Sequence, residues 1–187
     1  MRRAVACLAA LGLVAGCAKA PAANAASGQA SGAAAAPAAH SGAPVSDARV
    51  SGVYTADGQP AVLADISTQT DDPFDGAPVT LVVMTVRSQG GEPAASDDAH
   101  NGKFGDALIV RIEPDGTVIG SDFVHHGLAK SDGYISQTGT LRLKDYKAAD
   151  GQISGHLTSG GPTPVGATAD NQLINVDITF HVKAPKP

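Results

Sequence analysis

"QLINVDITFHV", residues 172–182, is the stretch whose reading decides the fold. Ile174, Val176, Ile178, Phe180 and Val182 fall on one side of an extended chain, and Asn175, Asp177, Thr179 and His181 on the other. Successive side chains of a strand point to opposite faces, so this period of two predicts a half-buried strand with one face on a core. Gln152–Thr158 repeats the pattern, with Ile153, Gly155 and Leu157 opposing Ser154, His156 and Thr158.

Six further runs read the same way: Val50–Thr55, Ala61–Thr68, Pro78–Arg87, Asp106–Glu113, Thr117–His125 and Tyr134–Leu143. Asp-Gly pairs punctuate them at 57–58, 75–76, 115–116, 132–133 and 150–151. Glycine accepts positive φ at no steric cost, which is what a tight hairpin turn demands. No window of twelve residues carries a helical stripe. About eight short strands in residues 46–187 predict an all-β domain, a single antiparallel sandwich with a barrel as the alternative. A domain of this size buries roughly two-thirds of its unfolded surface and needs no covalent staple. Ser88–Gly105 is long for a hairpin connection and is expected to be a mobile surface loop.

Upstream the composition changes. Residues 18–45 hold Ala, Ser, Gly and Pro but no Leu, Ile, Phe or Tyr. Such a tract has no side chains with which to offset the entropy of ordering, so residues 17–45 are expected to be a disordered tether with a typical span of roughly 30 Å. Residues 1–16 have the form of a signal peptide: Arg2 and Arg3, then the apolar run Ala4–Val14, too short to cross a ~30 Å bilayer as a helix.

Val14-Ala15-Gly16-Cys17 resembles the lipobox of bacterial lipoproteins. The resemblance implies cleavage before Cys17 and acylation, including palmitate, of that new N-terminus. Each buried methylene contributes ~0.8 kcal/mol, so a stable anchor takes more than one chain. Ala18 in place of Asp implies, in the same family, an outer-membrane destination facing the periplasm of a Gram-negative cell. "GVYTADGQPA", "DDPFDGAP" and "ISGHL … VDITFHV" in turn resemble a group of small β-rich bacterial lipoproteins, a likeness that carries architecture and no activity.

Cysteine and charge narrow the chemistry. The two cysteines are Cys7, inside the signal, and Cys17, so the domain has no thiolate ligand, thiol nucleophile or disulfide. Without Arg2 and Arg3 the chain has 11 basic and 18 acidic residues, a formal charge of −7. No basic cluster exists to neutralise phosphates, so nucleic acid is not an expected partner. The expected partners are the membrane, through the lipid, and an envelope protein.

Three groups of side chains carry candidate chemistry. "SDFVHHG" supplies Asp122, His125 and His126, and His156 and His181 sit on the polar faces of two late strands; imidazole and carboxylate suit zinc or copper. Alternation sets His125 on the side of Phe123, opposite Asp122, and His126-Gly127 reads as the start of a turn. The alternative is solvent-facing histidines. "DDPFDG" gathers Asp71, Asp72 and Asp75, a calcium candidate without the alternating spacing of a calcium loop; its alternative is a turn capped by Asp side chains. Asp97, Asp98 and His100 in the long connection are either solvated or a cation contact. No Gly-x-Ser-x-Gly elbow or phosphate loop is present, although a dispersed Ser-His-Asp triad stays open. With no Trp, four Phe and three Tyr, the aromatics are needed for the core, which disfavours a carbohydrate platform. These readings favour a non-catalytic binding or structural module, with metal binding as the alternative and a hydrolase behind both.

Overall fold

The computed structural model describes residues 48–91, 95–128, 131–166 and 172–186. The signal segment, Cys17 and the tether lie outside the described residues. Among those described, eleven strands and one short helix follow in the order β1 (Arg49–Ala56), β2 (Gln59–Ala61), β3 (Asp65–Phe74), β4 (Ala77–Thr85), α1 (Ala95–His100), β5 (Ala107–Ile112), β6 (Val118–Val124), β7 (Tyr134–Gln137), β8 (Arg142–Ala149), β9 (Gln152–Thr158), β10 (Thr163–Val165) and β11 (Gln172–Lys183).

They form two antiparallel sheets, a β-sandwich and not a closed barrel. One sheet runs β2-β1-β11-β9-β8, with β10 also on β11; the other is the meander β3-β4-β5-β6-β7. The chain crosses between sheets at residues 62–64 and again at 138–141. Those crossings account for two of the three strands beyond the expected eight; the third is β10, in a stretch where no strand was expected. Ala61–Thr68 and Tyr134–Leu143 read as single runs because Leu63 and Leu141 keep the apolar pattern going while the backbone turns into the core.

β11 carries the first sheet. Its alternation is borne out residue by residue: Ile174, Val176, Ile178, Phe180 and Val182 are all buried, facing Val82, Met84, Leu108, Val110 and Phe123 of the second sheet. β1 pairs with β11 from Arg49↔His181 to Ala56↔Ile174, so the first strand of the domain closes on the last. Asp57-Gly58, Asp75-Gly76 and Asp150-Gly151 are the two-residue turns of β1–β2, β3–β4 and β8–β9, each with positive φ at both residues. At 115–116 only Gly116 has positive φ, in a three-residue loop closed between Glu113 and Thr117, and a separate bulge at Ile119 shifts the β5–β6 register between Arg111 and Ile112.

The connection after β4 is not a loose loop in its described part. Gln89 is buried and donates through Nε2 to the Val83 carbonyl at 3.0 Å. Ala95 and Ala99 of α1, with Phe104, cover Leu81, Val83, Ala107, Ile109 and Val124 on the outer face of the second sheet. Alternation explains why this face needs a cover. β4 and β5 are apolar on both sides, so a second core must form outside the sandwich. Gly102, at φ 70, ends α1: its N–H reaches the Ala99 carbonyl and the Lys103 N–H the Asp98 carbonyl, the paired bonds of a Schellman cap.

Candidate functional site

Strand pairing sets the chemistry at one end of the second sheet. β5 and β6 pair from Ala107↔Val124 inward, so Asp106 and His125 are the next residues past the ladder's end. His125, buried with only 1 % exposure, follows Phe123 onto the inner face, as alternation predicted. Its ring meets Tyr54 edge-on at 4.9 Å and stacks on His126 at 4.6 Å. Tyr54 reaches across from the first sheet, its hydroxyl 3.1 Å from the Ala107 carbonyl and 3.2 Å from that of Val124. Burial, with the Asp106 charge added, pushes its phenol well above the usual range.

His126 and Gly127 form the expected turn. Asp106 grips it twice: Oδ1 accepts the His126 backbone N–H at 2.8 Å, and Oδ2 lies 2.5 Å from His126 Nδ1. The Gly127 N–H donates to His125 Nδ1 at 2.9 Å. Neutral His125 therefore carries its proton on Nε2, which has no partner. Burial lowers the His125 pKa and His126 lowers it further, against an upward pull from Asp106. A side chain on Gly127 would strike the Ala56 carbonyl oxygen at 2.4 Å, so glycine lets the turn lie against β1. The corner opens on a cleft of about 330 Å³, walled also by His100, Asp132 and Tyr134.

Asp106, His125 and His126 are, among the described residues, a group able to hold a metal ion: one nitrogen of each ring and one carboxylate oxygen all lie within 4.8 Å of one another. Asp122 is not part of it. It faces outward, is 1 % exposed, and is held by Arg111 Nη1 at 2.6 Å and His100 Nε2 at 2.9 Å, with the Tyr134 hydroxyl at 3.3 Å. Arg111 also reaches Asp71 at 3.2 Å. Burial pushes the Asp122 carboxyl up, but hydrogen bonds from Ser136, Arg111 and His100 and the Arg111 charge together hold it below the usual range. Burial pulls Arg111 down, and the two carboxylates more than reverse this.

The remaining candidates are dispersed. His156 pairs with Asp177 at 2.7 Å on the outer face of the first sheet. β9 and β11 do pair, with Thr179 opposite His156 and His181 opposite Ser154, but the two imidazoles form no three-donor group. Asp71 and Asp72 belong to β3, which extends to Phe74 through a bulge, and only Asp75 lies in the turn; Asp71 is committed to Arg111. Asp98 binds Lys103 at 2.6 Å, and the Asp97 carbonyl accepts from Asn101. Sequence reading missed Asp106. The turn alone could not have found it: the register of Ile112↔Val118 sets Asp106 opposite Val124, and the extra residue at Ile119 moves it opposite His125.

Comparison with protein-family models, with curated proteins and with solved structures found no match.

Proposed function

We propose that this chain is a lipid-anchored envelope protein. Its sandwich is a non-catalytic binding head, held off the membrane by a flexible tether. The anchor is Cys17, acylated after removal of residues 1–16, and the destination is the periplasmic face of the outer membrane. The observation that carries the reading is the order of parts. A lipobox-like stretch and a core-less Ala/Gly/Ser/Pro tract precede a sandwich whose first described strand starts at Arg49 and whose described core cluster runs from Tyr54 to Val182. Among the described residues no helix is long and apolar enough to cross a membrane, which is compatible with a lipid as the attachment.

Binding rather than turnover is supported by the partners of the imidazoles: among the described residues none of His100, His125, His126 and His156 hydrogen-bonds a serine hydroxyl, the nucleophile a triad would need. His100, His126 and His156 each pair with a carboxylate, and His125 with a backbone amide. The open corner at the end of β5 and β6 is where a ligand can reach such groups. The expected result for Cys17→Ser is loss of palmitate labelling and release from the membrane fraction, with the circular dichroism of the head unchanged. Retained labelling would refute the anchor.

A further inference from the structure

We propose that Asp106, His125 and His126 bind a divalent transition-metal ion of the zinc–copper class. This deepens the reading of the head as a binding module and is independent of the anchor. The donor set selects the ion. Calcium and magnesium take oxygen ligands, whereas imidazoles joined by one carboxylate are the set that zinc and copper(II) favour.

The geometry is close to what such an ion needs. With bonds of ~2.0–2.1 Å, tetrahedral donors lie about 3.3 Å apart. Here they lie within 4.8 Å of one another. The adjustment falls to His126, whose side chain is 55 % exposed, and to the Gly127 amide, which must leave His125 Nδ1, while the His125 ring is held against Tyr54. One ligand is thus preorganised by the core and another is free to close. Asp106, tied to the turn by the His126 N–H, brings the negative charge.

The lone pair that neutral His125 offers is on Nδ1, and Gly127 N–H occupies it at 2.9 Å. An ion takes the place of that N–H. The two remaining donors then exchange their contact with each other for bonds to the metal, leaving a fourth position for solvent or a small ligand from the cleft. Gly127 is therefore a reporter that surface histidines elsewhere, such as His156 with Asp177, do not possess.

The test is zinc chloride titration of the chelator-treated protein, purified in detergent as the cell produces it, by calorimetry and by amide NMR. One Zn²⁺ per chain is expected, with a marked shift of the Gly127 amide. Affinity should fall at least tenfold in His126→Ala and in Asp106→Asn, and stay unchanged in His156→Ala. His126 is a surface side chain, so its variant decides the matter even if Asp106→Asn disturbs the turn. Absence of stoichiometric binding, binding indifferent to His126→Ala, or binding that leaves the Gly127 amide in place would each overturn the site. Failure of Cys17 labelling would remove the anchor and leave this result standing; failure of zinc binding with labelling intact would remove the ion alone.

Discussion

A methyl group added at Gly52 would lie 2.0 Å from the Asp177 carbonyl oxygen and 2.8 Å from the Ile178 Cα, and φ there is 132°. β1 and β11 approach so closely at this point that only hydrogen fits. Strain at such a φ costs ~1–3 kcal/mol, and overpacking adds ~1–3 kcal/mol. Gly52→Ala should therefore lose about 3 kcal/mol or more in urea unfolding. Gly58→Ala is the control: φ is 77°, but nothing stands within 4 Å of the added carbon, so about 1 kcal/mol is expected. Equal losses at the two positions would mean that backbone φ, and not the close approach, sets the cost. The two glycines illustrate what is legible. Asp57-Gly58 announces its turn through a dipeptide with a known preference, whereas Gly52 sits in "VSGVYT" with no local sign that another strand's backbone lies against it.

At the scale of elements, β6 and the residue that follows it place two functional groups on opposite faces, and each is completed by a different partner. Asp122 goes outward to Arg111 on β5 and His100 at the end of α1, while His125 goes inward to Tyr54 on β1. The Asp122 carboxyl titrates lower in the folded chain than in the unfolded one. The unfolded state then binds more protons in that range, and stability rises with pH. The contribution is present above the ordinary Asp value of ~3.9 and is lost as pH falls through the lower folded value. Asp122→Asn should remove that part of the acid slope. Measured as unfolding midpoints between pH 6 and pH 2, the difference from the parent should shrink as the pH falls. A constant difference would mean that the carboxylate's charge plays no part. Alternation sorted these faces from sequence alone. It could not supply Arg111 or His100, because pairing across strands and helix placement are tertiary facts. The same limit explains α1: six residues with buried Ala95 and Ala99 are too few to produce a periodic signal, and their burial depends on an apolar outer face of β4 and β5.

For the whole molecule, stability rests on burial and pairing with no covalent aid. Both cysteines precede residue 48, so the midpoint of thermal unfolding should be the same with and without dithiothreitol. A drop on reduction would reveal an intermolecular disulfide and an unacylated Cys17. The open edges carry their own protection. β8 presents Arg142, Lys144 and Lys147 around a bulge at Asp145, and β3 ends in Asp71, Asp72 and Pro73, groups that discourage further strand pairing.

By itself the sequence determined the class of fold, because alternation and turn chemistry are local. Ile174 to Val182 can bury one face only as a strand, and Asp-Gly pairs close hairpins whatever surrounds them. The side of β6 on which each of Asp122 and His125 lies followed from the same rule. Only the tertiary structure decided that eleven strands, not eight, lie among the described residues, because a change of sheet leaves the apolar pattern unbroken in two runs and the three residues of β10 are too few to show one. Only it brought Asp106 to His126, engaged Asp122 elsewhere and parted His156 from the other candidates. Convergence of side chains is a property of distances between strands, and a linear pattern contains none.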